Sequence, residues 1–126
     1  MPQARSAPKP SAELARALNL AKTGRRREAI VLLTQLAEQR PKDDMVWFYL
    51  GATLDASAKE AKAIPCYLRA LRLKPLHPYE YEMCLYLCSS YRKTKRPQAA
   101  SRWLKKAQSL SQSTPLQKRL ERLLKQ

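Results

Sequence analysis

Glycine and histidine are nearly missing from this 126-residue chain, which holds Gly24, Gly51 and a single histidine, His77. No glycine-rich loop is there to cradle phosphates and no carboxylates cluster, so no nucleophile is paired with a base and the chain is not expected to be an enzyme. β-Branched residues are few in the long apolar stretches, which argues against strands almost everywhere and leaves an all-α protein. No apolar run reaches the roughly 20 residues that a membrane-spanning helix needs. The three cysteines are odd in number and follow no framework spacing, so a reducing compartment is expected, with the cytoplasm as the location and no cofactor or metal. Acidic side chains are scarce too. Ten Asp and Glu stand against 25 Lys and Arg, a formal charge of +15 that attracts polyanions and acidic proteins.

The apolar residues that are present keep helical spacing and repeat. Leu20, Ala29, Ile30 and Pro41 recur 34 positions later as Leu54, Ala63, Ile64 and Pro75, the mark of stacked helix pairs, which grip other chains. Trp47, Leu50, Gly51 and Leu54 fall at i, i+3, i+4 and i+7 and share one helix face, with Gly51 small enough for a neighbouring helix to approach closely. Ala63 and Ala70 do the same on the partner helix, and Pro75 stops that helix because it has no amide hydrogen to donate. Pro65 falls about one turn inside, so the helix is expected to begin late, near Ala61.

With Trp47, Leu50, Gly51, Leu54, Ala63, Tyr67, Ala70 and Pro75 in order, residues 44–77 resemble the tetratricopeptide repeat. Residues 10–43 match through Ala17, Leu20, Gly24, Ala29, Leu33 and Pro41, with polar Glu13 at a place that suits an end repeat. A third repeat, 81–114, comes into register after a shift of 37, which aligns Leu87 with Leu50, Cys88 with Gly51 and Ala100 with Ala63. The three extra residues, near 76–80, lengthen the loop or the next helix. Residues 115–126, with Leu116, Leu120, Leu123 and Leu124 on one stripe, are expected to form a capping helix. Residues 1–10, basic and with three prolines, read as a disordered tail and not a secretory signal. The resemblance implies a tetratricopeptide-repeat solenoid of three helix pairs and a C-terminal capping helix within residues 11–126. A long third repeat followed by a cap also looks like the class II chaperones of type III secretion, which hold translocator segments in a concave groove.

In tetratricopeptide proteins the first helix of each pair lines the concave side. That places Phe48, Tyr49 and Ala52 in a groove by resemblance, joined by Leu14 and Leu18 from the first repeat and Leu85, Tyr86 and Ser89 from the third. The helix around Phe48 is apolar nearly all round, which means either burial by its own chain or a patch for a partner. Such a groove would take a peptide or helix of a protein partner. The Lys and Asn of the carboxylate clamp used by some tetratricopeptide cochaperones are absent, since their places hold Leu14, Leu18, Tyr49, Glu82 and Tyr86.

Positive charge collects in the turns inside the pairs: Arg25, Arg26 and Arg27, then Lys59 and Lys62, then Arg92, Lys93, Lys95 and Arg96. Stacking would bring these onto one basic edge, which could steer an acidic protein or follow the phosphates of a nucleic acid. No aromatic alternates with these charges to stack on bases. Cys84 and Cys88, four apart on one helix face, align with Trp47 and Gly51 and read as core, while His77 reads as a solvated loop histidine. The sequence therefore points to an adaptor or chaperone that binds a partner with an acidic surface, and alternatively to a nucleic-acid-associated protein.

Overall fold

The structure, a computed structural model, describes residues 11–111 and 123–124. Six helices and no strand make up the regular structure of residues 11–111: α1 (Ala12–Lys22), α2 (Arg26–Gln39), α3 (Asp44–Ala56), α4 (Glu60–Leu73), α5 (Glu80–Lys93) and α6 (Pro97–Ser111). Their ends follow local chemistry. The Ser11 hydroxyl accepts the Leu14 amide at 3.1 Å to cap α1, and Asp43 Oδ1 accepts the amides of Met45 and Val46 at 3.1 and 3.3 Å to cap α3. α2 and α4 end just before Pro41 and Pro75. α4 begins at Glu60 and Pro65 lies inside it, so the late start near Ala61 expected from the sequence is one residue off. The carbonyl that Pro65 deprives of an intrahelical donor belongs to the exposed Ala61, where water can reach it.

The three turns within helix pairs are built alike. The amides of Arg25, Lys59 and Arg96 donate to the carbonyls of Leu20, Leu54 and Tyr91 at 2.9, 2.9 and 2.8 Å, the long bond of a Schellman motif. In front of each donor stands a left-handed residue: Gly24 (φ 85°), Ala58 (φ 60°) and Lys95 (φ 64°). Only the first is glycine, so Ala58 and Lys95 carry Cβ strain of roughly 1–2 kcal/mol.

The chain divides into two compact units, Met1–Lys74, which holds α1–α4, and Pro75–Gln126, which holds α5 and α6. In the first unit α3 is the central element, packed on both α2 and α4 and touching α1. Its all-round apolar character is spent there, with Val46, Phe48, Leu50, Gly51, Thr53 and Leu54 buried. The contact with α4 is tight. A Cβ added at Gly51 would lie 2.8 and 2.9 Å from the Cε1 and Cδ1 atoms of Tyr67 and 3.2 Å from the Cys66 Cβ. Tyr67 is fully buried and its hydroxyl donates to Asp55 Oδ2 at 3.2 Å, so the ring has nowhere to retreat. Trp47, expected on the same core face, is half-buried. Its Nε1 donates to the Pro41 carbonyl at 2.9 Å and the Arg69 guanidinium sits 5.2 Å from its ring, so it fastens the α2–α3 connection and α4 from the rim.

In the second unit α5 packs on α6. Met83, Cys84, Leu87, Cys88 and Tyr91 are buried on α5, and Ala100 and Ala107 on α6. Lys106 Nζ approaches Glu80 Oε2 at 3.6 Å. The added length ahead of this pair is shared: 74–79 is two residues longer than the matching loop 40–43, and α5 is one residue longer than α3. His77 is buried, not solvated as its loop position had implied. Its Nδ1 accepts the amide of Tyr79, the N-cap residue of α5, at 3.0 Å and so ties the loop to the helix start, where the N-cap side chain makes no bond of its own. The tail at 1–10 and the capping helix at 115–126 lie outside the described residues, except for Leu123 and Leu124, which are helical and exposed.

All three cysteines are free and buried. Burial pushes the Cys66 thiol up to about 11 and raises Cys84 as well, with Lys106 working against the shift and Glu80 adding to it. Three outcomes follow for this core. Gly51→Ala should destabilise the protein by about 1–2 kcal/mol in urea unfolding, the overpacking cost exceeding the helix-propensity gain. Ala58→Gly should stabilise it by about 0.5–1 kcal/mol by relieving the left-handed strain. In a thiol-alkylation time course at neutral pH, the native protein should leave all three cysteines unmodified, and denaturant should expose all three.

Candidate interaction surfaces

The eight residues expected to line a groove separate by exposure. Within the first unit Leu14 and Phe48 are buried, Phe48 to 7% exposure, and its ring lies 5.3 Å from that of Tyr49 and 6.4 Å from that of Tyr67. Phe48 and Leu14 are therefore packed into the first unit in this structure and, unlike the other expected groove residues, show almost no accessible surface. Leu18, Tyr49 and Ala52 are half-buried and keep accessible surface.

Within the second unit the first helix is far less covered. Leu85 and Tyr86 are 37% and 38% exposed, and Ser89 is half-buried. The core face of α5 is taken by Met83, Cys84, Leu87, Ser90 and Tyr91, so helical geometry turns Tyr79, Tyr81, Leu85, Tyr86 and Ser89 to the other side. Tyr79 and Tyr81 are also exposed. Neither figured in the expected groove; Tyr81 and Leu85 are four apart and Tyr79 and Tyr86 seven apart, so the two pairs stand on opposite flanks of the outer side, with half-buried Glu82 and Ser89 between them. Two tyrosines and a leucine on α5, with Tyr79 at its N-cap, expose aromatic and apolar surface suited to a chain that offers apolar anchors and backbone polar groups.

The basic turns are exposed throughout: Arg25, Arg26, Arg27, Lys59 and Lys62 in the first unit and Arg92, Lys93, Lys95 and Arg96 in the second. In the second unit the charges are partly engaged with their own helix. The Arg92 Nη2 donates to Cys88 Sγ at 3.6 Å and the Arg96 guanidinium lies 5.7 Å from the Tyr91 ring. In the first unit Arg25, Arg26, Arg27 and Lys59 come together around an open depression of about 550 Å³, while Lys62 stays outside it. Among the described residues no group of three or more His, Cys, Asp or Glu could hold a metal, and no helix is long and apolar enough to cross a membrane.

Solved structures share this arrangement of helices. MamA of AMB-1 matches with a TM-score of 0.71 at 27% identity, over 81% of this chain and 59% of MamA. MamA of MSR-1 matches with a TM-score of 0.70 at 27% identity, over 79% and 56%. An Arg-to-Glu mutant of MamA matches with a TM-score of 0.71 at 28% identity, over 84% and 76%. The chain thus spans less than two thirds of the length of the first two. With six helices and this likeness, the architecture is all-helical and of the tetratricopeptide type. No curated protein matches the chain. The family described as "Domain of unknown function (DUF7017)" matches residues 12–126, and the chain belongs to that family.

Proposed function

We propose that this protein is an adaptor that binds another protein through the outer face of α5, with Tyr81, Leu85 and Tyr86 as the anchors. The observation that carries the reading is their exposure, 37–38% for Tyr81, Leu85 and Tyr86, on a helix whose other side is fully committed to the core. Tyrosine is enriched at interface centres because it offers a large, stiff apolar body with one polar tip. The partner is a segment with apolar anchors and acidic residues. α5 ends in Arg92 and Lys93 and the turn after it adds Lys95 and Arg96, so acidic groups on the partner would be drawn to that end. Leu18, Tyr49 and Ala52 of the first unit, all half-buried, offer a second and less exposed surface. The narrower form of this reading is a chaperone of the type III secretion class II kind, holding a translocator-like client on these helices. Three buried free thiols suit a reducing compartment, and we place the protein in the cytoplasm.

The test uses Leu85→Asp with Tyr86→Ala, both at exposed positions and so without a large folding cost. Phe48 is left intact, because its truncation would cost about 3–5 kcal/mol of stability and confuse the result. Wild type and variant are compared for retention of cell proteins at roughly 0.3 M salt with nuclease present, a salt level that weakens phosphate contacts. The expected outcome is an identified protein held by wild type, lost by a variant of unchanged melting temperature, and bound directly by the purified wild type at least tenfold more tightly than by the variant. Equal retention by both would refute the α5 surface.

A further inference from the structure

The first unit carries four cations around one depression, and their placement runs against the stability of the helix they adjoin. Arg25 is the N-cap of α2, and Arg26 and Arg27 are its first two residues. Lys59 is the N-cap of α4. Neither N-cap makes a side-chain cap bond. A helix N-terminus carries about half a positive charge, so cations there are unfavourable where Asp, Ser or Thr would be favourable. The chain uses those favourable residues elsewhere, Ser11 for α1 and Asp43 for α3. Here it sets positive charge beside the positive ends of two helices whose turns share one concavity.

The depression has its own internal example of what it holds. The Glu28 carboxylate accepts from Arg25 Nε at 2.6 Å and from Nη2 at 2.9 Å, a two-point fork. That single acid offsets one of four cations and leaves Arg26, Arg27 and Lys59 around the rim. The wall includes the apolar Ile30 and also Ser57, whose Oγ is enclosed and has no hydrogen-bond partner. The equivalent Thr23 and Thr94 hydroxyls both donate to carbonyls of the preceding helix turn, so Ser57 is the exception among the three turns. At about 550 Å³ the concavity is of the size that takes small ligands or a few side chains.

We propose that this depression is a binding site for an acidic polypeptide segment, whose Asp or Glu carboxylates take Arg26, Arg27 and Lys59 as Glu28 takes Arg25. Carboxylates fit better than nucleic-acid phosphates for two reasons. No aromatic lines the depression to stack on a base, and Glu28 within it repels a dense phosphate chain more than spaced carboxylates. The site is separate from the α5 surface and stands or falls without it.

The experiment measures binding of a fluorescent octaglutamate peptide to the full chain by anisotropy at roughly 50 mM salt, with a single-stranded oligonucleotide of equal charge as competitor. The variants are Arg26→Glu with Arg27→Glu and, as a control of equal charge change in the second unit, Arg102→Glu with Lys105→Glu, both exposed on α6. The first pair should weaken octaglutamate at least tenfold while raising the melting temperature by on the order of 2–5 °C at low salt, because acids replace cations at the positive end of α2. The control pair should weaken binding less than threefold. An equal loss from both pairs means attraction by net charge alone and overturns the proposal. So does tighter binding of the oligonucleotide than of octaglutamate, which would make this a nucleic-acid site, and so does an unchanged or lower melting temperature of the first variant.

Discussion

Each of the three helix pairs among the described residues depends on one short backbone bond: an amide at the entrance of the second helix donates to a carbonyl five residues back in the first. Leu20, Leu54 and Tyr91 accept it, and Arg25, Lys59 and Arg96 donate it. The bond requires a left-handed residue just before the donor, and it reverses the chain tightly enough for the apolar faces of the pair to meet at once. It also fixes where the donor's side chain stands, beside the positive end of the helix that follows. Backbone geometry thus dictates three equivalent positions, and the chain has filled all three with cations that the backbone itself disfavours. Burial of the apolar faces outweighs that electrostatic cost.

What the pairs then present depends on how thoroughly each first helix is covered. α3 touches three other helices, and its tightest contact, Gly51 against Tyr67, leaves no room for a methyl group. A helix held in that way has little apolar surface left. α5 has the same pattern of small and large core residues, with Cys88 where α3 has Gly51, but packs principally on α6. Its outer residues Tyr81, Leu85 and Tyr86 stay in solvent. Similar sequence patterns therefore leave one helix covered on nearly every side and the other with an exposed side.

The helix pairs were legible in the residues because periodicity and proline punctuation report local backbone preference directly. Leu20 and Leu54, Ala29 and Ala63, Pro41 and Pro75 each mark an equivalent place in the fold. The closeness of α3 and α4 was legible for the same reason, since a glycine in a helix interior has a packing cause. The groove was harder to read. Phe48 and Leu85 lie on equivalent sides of equivalent helices by sequence, and only the number of covering neighbours separates them, which is a tertiary property. His77 shows the same gap at smaller scale: nothing in Leu76-His77-Pro78 says that the ring folds inward to accept the Tyr79 amide.

The free protein holds more positive charge at its helix entrances than Glu28 and Glu60 offset, against the preference of the helix ends, and we propose that acidic partners complete the balance. The most direct test is the melting temperature of the unliganded protein as sodium chloride is raised from roughly 20 to 300 mM, across which the Debye length shrinks about fourfold. The account predicts a rise of several degrees as the repulsion among the cations is screened. A flat or falling curve would mean that the charges already sit in favourable places and would contradict it.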